Sequence, residues 1–159
     1  MNPVVLNVED NLDDRILLKH AWRKSQVNFD LRFAEDGEVA LDYLLGRGPY
    51  SDRNKNPLPN LLLLDLKMPR MDGFETLQWL KKNSAFKNLP VAVFTSSTNQ
   101  DDIRRAAAFG ADCYVAKPLK YETLASFMTK LDALLRQSEQ PVSAALSALP
   151  ECCIAHGPD

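Results

Sequence analysis

Four short apolar runs in this chain each end on residues able to do chemistry. VVLNV (4–8) is followed by Glu9 and Asp10, LLLL (61–64) by Asp65, VAVF (91–94) by Thr95 and Ser96, and CYVA (113–116) by Lys117 and Pro118. Three carboxylates crowded together repel one another, and a hard divalent cation that prefers oxygen ligands relieves them. Magnesium keeps several waters, so one or two carboxylates and a backbone carbonyl suffice as its protein ligands. With its charge neutralised, one carboxylate can attack a phosphoryl donor as a nucleophile. A lysine and a hydroxyl would then hold the phosphoryl oxygens as charge develops. The pattern reads as phosphoryl transfer to a carboxylate, provided the run ends share one rim.

The rest of the sequence supplies the elements that would bring them there. Pro3–Val8 reads as a first strand, and Phe29, Leu31 and Phe33 alternate as a second. Leu61–Leu64, Val91–Phe94 and Cys113–Ala116 are continuous apolar runs, as expected of strands covered on both faces. Between them, Leu12–Lys24, Glu38–Leu45, Phe74–Lys82, Asp101–Phe109 and Tyr121–Arg136 have helical length and composition. Gly46 and Gly110 sit where helices stop, and Thr98 or Asn99 offers an N-cap ahead of Asp101 and Asp102. Strand–helix repeated five times predicts a parallel sheet with right-handed crossovers and helices on both faces. Ligands bind beyond the carboxyl ends of such strands. In the usual order 2-1-3-4-5, the acids ending the second strand, Glu35 and Asp36, fall toward an edge. Residues 46–60, GRGPYSDRNKNPLPN, make an unusually long connection for this architecture.

Composition sets the outer bounds. A chain of 159 residues suits one ordinary domain, and 45% apolar with 25% charged residues is a globular mixture. Nineteen basic residues against 21 acidic ones give no electrostatic reason to expect nucleic acid or an anionic membrane as partner. The longest apolar runs are far too short to span a bilayer, and the N-terminus has no basic start for a secretory signal. Three cysteines make no disulfide framework, so a reducing cytoplasm is expected. Every Lys and Arg lies at or before Arg136, whereas residues 138–159 carry only Glu139, Glu151 and Asp159. The body is therefore assigned to 1–137, and 138–159 to a flexible C-terminal tail with a short helical turn near Ala144–Leu149.

LLLLDLKMPRMDG (61–73), with ED at 9–10, FTSS at 94–97 and AKP at 116–118, resembles the receiver domain of two-component response regulators over residues 3–137. The resemblance implies a flavodoxin-like (βα)5 fold, an α/β three-layer sandwich that accepts a phosphoryl group from a sensor histidine kinase. By motif position it implies Asp65 as phosphoacceptor. Glu9, Asp10, Asp65 and the backbone carbonyl of Lys67 would hold Mg2+, with Asp10 the more direct ligand of the acidic pair. Thr95, Ser96 and Lys117 would contact the phosphate, with Thr95 and Tyr114 as the switch pair and Lys117–Pro118 as a cis peptide bond. The long 46–60 loop and the lack of room for an output domain are similar to single-domain regulators that act with bacterial phytochrome-type kinases. Output would then pass to a downstream protein or to a histidine phosphotransfer protein. The resemblance also implies an output face on the fourth helix, fifth strand and fifth helix. There the mixed charges of Arg104, Arg105, Asp112 and Glu122, with Tyr121, suit a homodimer.

Plainer roles exist for the same residues. Asp65 could cap a turn, Glu9 and Asp10 could cap the helix from Leu12, Lys117 could be an exposed lysine, and Tyr114 could be core. Asp72-Gly73 reads as turn and helix-start chemistry, and His20 as structural or exposed. Cys152, Cys153 and His156 form CCxxH, but adjacent cysteines suit a tetrahedral ion poorly. A magnesium-dependent phosphohydrolase would want an acid two residues after the nucleophile, where Lys67 stands; the chain therefore reads as a switch, not an enzyme. A flavodoxin-like cofactor binder would want a phosphate-cradling loop where EDNLDD (9–14) stands.

Overall fold

The computed structural model describes residues 1–154. Its strands are β1 (Val4–Val8), β2 (Asp30–Ala34), β3 (Leu61–Leu64), β4 (Val91–Thr95) and β5 (Cys113–Ala116). They alternate with α1 (Leu12–Lys24), α2 (Gly37–Leu45), α3 (Gly73–Lys82), α4 (Gln100–Ala108) and α5 (Tyr121–Arg136), and α6 (Val142–Ser147) follows. The sheet is wholly parallel in the order β2-β1-β3-β4-β5, the flavodoxin-like arrangement expected. No helix among the described residues is long and apolar enough to cross a membrane.

Burial on both faces explains the unbroken apolar runs. Leu61 and Leu63 of β3 enter one core with Leu18, Phe127, Met128 and Leu131 of α1 and α5. Leu62 and Leu64 enter the other with Tyr43, Leu44, Leu77 and Leu80 of α2 and α3. All four leucines have no exposed surface. Because successive strand residues point to opposite faces, a polar residue at any of these positions would be buried without a partner.

The register fixes the rim. Val8 stands level with Ala34 and Leu64, Leu64 with Val93, and Thr95 with Ala116. Backbone bonds continue just past the strand ends, from Asp65 N to Val8 O at 3.0 Å and from Lys117 N to Thr95 O at 2.8 Å. Glu9, Asp65, Thr95 and Lys117 therefore emerge along one edge of the sheet.

Local chemistry sets the helix starts. Asn11, rather than Glu9 or Asp10, caps α1 by accepting from Asp14 N at 3.0 Å, which leaves both acids for the rim. Asp36 caps α2, Asp72 caps α3 and Asn99 caps α4. Gly46 ends α2 with φ 68°, a left-handed conformation that glycine adopts without penalty. The 46–60 connection is ordered by Arg53, whose guanidinium donates to the carbonyls of Tyr43, Leu44 and Asn56 at 2.6–3.1 Å. A 3₁₀ turn, Gly48–Tyr50, opens it.

Two expectations need correction. The Lys117–Pro118 bond is trans, and no cis bond occurs among the described residues. Trans is the lower-energy isomer of an X–Pro bond by about 0.5–1 kcal/mol, so a cis bond needs surroundings that select it. The segment after 137 is also not a loose appendage as far as Ile154. Leu146 of α6 has no exposed surface, and Ala145, Val142, Leu149 and Cys152 join the α1/α5 core. Cys153 N donates to Tyr114 O at 2.8 Å on the free edge of β5, and Lys130 pairs with Glu151. The sparse charge that suggested a tail is instead the apolar side of a docked segment. His156 of the CCxxH pattern lies outside the described residues.

Leu146 tests this packing. Leu146→Ala should destabilise the fold by about 2–3 kcal/mol, as in other buried leucine truncations, measured by urea unfolding. A loss near zero would show that the segment contributes nothing to the core.

Candidate functional site

The rim gathers acids around one ammonium. Glu9, 1% exposed, and Asp65, 6% exposed, stand at adjacent strand ends, with Asp10 exposed beside them. One carboxylate oxygen from each of the three lies within 4.8 Å of the others. Lys117 crosses from β5 to bond Glu9 Oε1, bonds Asp14 Oδ2 at 2.8 Å and faces Asp65 Oδ2 at 3.6 Å. The other Asp65 oxygen accepts from Leu66 N at 2.9 Å. Asp14, in the first turn of α1, is a member that sequence reasoning missed. Its signal was only its place one turn after Asp10, within a run of acids readable as helix capping.

One positive charge cannot satisfy these acids, and their protonation shows it. Burial and the close Asp65 carboxylate push Glu9 up to about 9 from its ordinary 4.5, while Lys117 pulls the other way. Burial would raise Asp14 too, but its bonds to Lys117 and Glu9 outweigh that and hold it below the usual range. Lys117 is raised: burial alone would lower it, but its bonds to Asp14 and Glu9 and the charge of Asp65 prevail. The ammonium is thus divided among Glu9, Asp14 and Asp65, and the Glu9 carboxyl is held well above its ordinary range. Glu9 Oε2 is buried without a hydrogen-bond partner. An orphaned buried carboxylate oxygen beside two further carboxylates fits a hard divalent cation.

The backbone around Asp65 depends on a close approach. Gly73 N donates to Leu66 O at 2.9 Å, and a Cβ on Gly73 would lie 2.1 Å from the Asp65 carbonyl oxygen. Gly73 is therefore required for space rather than for an unusual dihedral. The intervening loop, which carries exposed Lys67, turns through Arg70 at φ 64°. Arg70 pairs with Asp36, fully buried at the α2 N-cap, and reaches Glu38 at 3.6 Å. Asp36 thus anchors this loop instead of joining the acidic rim.

On the other side of the rim, Thr95 is 1% exposed and Ser96 is exposed. Thr95 Oγ1 accepts only a long bond, 3.5 Å, from Ser97 N. Ser97 Oγ in turn bonds Asp102 at 2.6 Å. The Tyr114 ring has no exposed surface, and its hydroxyl donates to Ser97 O at 2.8 Å, while burial raises the phenol above its ordinary range. The ring therefore already stands inside the fold, tied to the β4–α4 loop that follows Thr95.

The expected dimer face is only partly available. Arg104, Arg105 and Glu122 are exposed. Arg104 pairs with Asp101, and Arg105 lies over the Phe74 ring at 4.0 Å. Asp112 is half-buried because it accepts from Val91 N at 2.9 Å and faces Lys81 at 3.9 Å. Tyr121 is half-buried against the α1/α5 core, with its ring 5.3 Å from that of His20. Neither of these two is an exposed contact.

The raised Glu9 carboxyl gives stability a pH dependence. With Glu9 pushed up to about 9 in the folded chain and at its ordinary 4.5 in the unfolded one, folding stability falls as pH rises through that window. Glu9→Gln cannot ionise and should flatten the decline in urea titrations followed by circular dichroism without added metal. A slope identical to that of the native chain would place the proton elsewhere.

Comparisons with known proteins agree with this geometry. The family model described as "Response regulator receiver domain" matches residues 5–129. Response regulator Rcp1 of Synechocystis sp. is 37% identical over 114 residues, covering 72% of this chain and 76% of that protein. The response regulator RPA3017 in red light signaling of R. palustris superposes with TM-score 0.80 at 31% identity, covering 87% of this chain and 96% of that one. The phosphorylated cyanobacterial phytochrome response regulator RcpA gives TM-score 0.75 at 30% identity, covering 85% and 94%. A sheet in this order, with this acidic rim and this match along most of its length, means that the chain belongs to the response regulator receiver domain family.

Proposed function

We propose that Asp65 accepts a phosphoryl group from a sensor histidine kinase in a magnesium-dependent reaction, and that the product signals through another protein. The observation that carries this reading is the set of Glu9, Asp10 and Asp65 oxygens, with one orphaned oxygen on Glu9, beside Lys117. Glu9, Asp10, Asp65 and the Lys67 carbonyl would hold the ion, which neutralises carboxylate charge and polarises the phosphoryl oxygens. A manganese-bound form of Rcp1, 32% identical in the aligned region with TM-score 0.73, supports a divalent site in this fold. Asp65 Oδ2 attacks phosphorus, and the bond from phosphorus to the donor nitrogen breaks with its electron pair. Lys117 then exchanges Glu9 and Asp14 for a phosphoryl oxygen, and Thr95, whose hydroxyl proton is uncommitted by its long contact with Ser97, turns to another; Ser96 lies beside it. That movement would disturb the Ser97 carbonyl holding Tyr114, which links the pair as a switch.

The partner side of the reading rests on surface and kinship. Leu12, Ile16 and Leu17 of α1 and Leu119 after β5 are exposed large apolar residues beside the acidic rim. An apolar skirt around a charged site suits a protein donor better than a small one. The structural relative named as a cyanobacterial phytochrome response regulator supports a phytochrome-type kinase as donor, with onward transfer to a histidine phosphotransfer protein as the other output. A homodimer through α4 and α5 would use Arg104, Arg105 and Glu122. The activity is that of a switch acting on its own phosphorylation, not of an enzyme turning over substrate.

Acetyl phosphate with magnesium should add one phosphoryl mass to the native chain and none to Asp65→Asn, read by intact mass spectrometry. An equal adduct on the variant would remove Asp65 from the role. Millimolar magnesium should also raise the melting temperature by mass action, and Asp10→Asn should weaken that response. A melting temperature indifferent to magnesium would remove the metal from the account.

A further inference from the structure

Cys113 opens β5 with no exposed surface, facing the core between the sheet and α1/α5. Cys152, thirty-nine positions later, is half-buried and packs against the same cluster, and the residue after it is bonded to the residue after Cys113. Three contacts hold the intervening backbone at this place. Cys152 N donates to Leu149 O at 3.0 Å, Cys153 N donates to Tyr114 O at 2.8 Å, and Glu151 pairs with Lys130. Cys153 points away: it is exposed, and its sulfur lies 3.7 Å from the Glu151 carbonyl. Of the three thiols, two face each other across a docked seam and one faces solvent.

We propose that Cys113 and Cys152 form a reversible disulfide that latches the C-terminal segment over the exposed edge of β5. Nothing about the phosphoryl site requires this pair, so the inference goes beyond the reading above. Cysteine in a core is often only a small apolar residue. Here, however, the partner belongs to a short terminal segment and is itself reached by solvent, so an oxidant has an entry.

A hydroperoxide supplies the oxidising equivalents. Cys152 as thiolate attacks the peroxide O–O bond; a sulfur–oxygen bond forms, and the released hydroxide takes up a proton to become water. The Cys113 sulfur then attacks the Cys152 sulfur, the S–S bond forms, the S–O bond breaks, and the departing hydroxide takes the Cys113 proton. Two thiols and one hydrogen peroxide thus give one disulfide and two waters. Cys113 has no exposed surface and burial helps raise its thiol, whereas Cys152 is reached by solvent, so Cys152 is the first sulfur to react. In a reducing compartment the bond would be transient, as redox-sensing disulfides are. While it lasts, Cys153 stays on the carbonyl of Tyr114 and Ile154 stays against the α4 side of the core.

The full chain treated with hydrogen peroxide, alkylated and digested decides the matter. The expected result is an intact chain lighter by two hydrogens, one linked peptide pair containing Cys113 and Cys152, and full reversal by dithiothreitol. The link should persist in Cys153→Ser and vanish in Cys152→Ser. Oxidation should raise the melting temperature of the native chain and leave that of Cys152→Ser unmoved, a readout that needs no substitution in the buried strand. A Cys152–Cys153 bond, a chain-to-chain bond through Cys153, or over-oxidation of Cys152 with no crosslink would each overturn the proposal.

Discussion

One ammonium among too many carboxylates is the constraint on which the rest of this molecule depends. Lys117 touches Glu9, Asp14 and Asp65, with Asp10 alongside. No arrangement of a single positive charge neutralises them, so the Glu9 carboxyl is raised well above its ordinary range and its Oε2 is left without a partner. Such a site is destabilising by itself, and it is maintained because the elements beneath it are fixed by other forces. The two cores, built from alternate residues of the same strands, hold the strand ends level whatever the charges above them prefer. Under the proposed function, a cation or a phosphoryl group arriving at the rim would redistribute Lys117 rather than the sheet.

Under the proposed function, the same division would let a small chemical change at Asp65 be felt at a distance. Lys117 follows β5 directly, and Tyr114 lies three residues before it on that strand. Thr95 ends β4, and the next loop carries the Ser97 carbonyl that receives the Tyr114 hydroxyl. The two responsive groups at the rim are thus both attached to the β4–β5 side. The other side is tied down, by Arg70 across the β3–α3 loop to buried Asp36 and by Gly73 pressed onto the Asp65 carbonyl. An asymmetry of this kind directs any rearrangement toward α4 and β5, away from α2 and α3.

What the sequence made legible follows from which interactions are local. Strand runs and helices were readable because period and capping are properties of neighbouring residues, and Leu12–Lys24 and Tyr121–Arg136 agree to the residue. The acidic rim was readable because a parallel sheet places every strand end on one side, so Glu9, Asp65 and Lys117 could be gathered without coordinates. Asp14 was not readable, since its role comes from the reach of Lys117 across the fold. The pairing of Asp36 with Arg70 was missed for the same reason, the two being 34 positions apart. The Lys117–Pro118 bond and the segment after 137 were misread because both depend on tertiary surroundings.

That segment changes what the output side of the fold is. An edge strand presents unpaired backbone groups that attract other chains unless something covers them. Here the cover comes from the chain itself, through the bond from Cys153 to Tyr114 and the burial of Leu146, Cys152 and Ile154 against the two cores. Any protein that reads α4, β5 and α5 must therefore recognise the segment as part of the surface or displace it. Displacement would expose the β5 edge and the apolar side of α6 together, which is costly in water. Recognition would leave them covered and use the charged residues that remain outside, Arg104, Arg105 and Glu122. Under the proposed function, a partner that binds over the docked segment avoids that cost, and the backbone bond from Cys153 to Tyr114 would connect it to the switch residue.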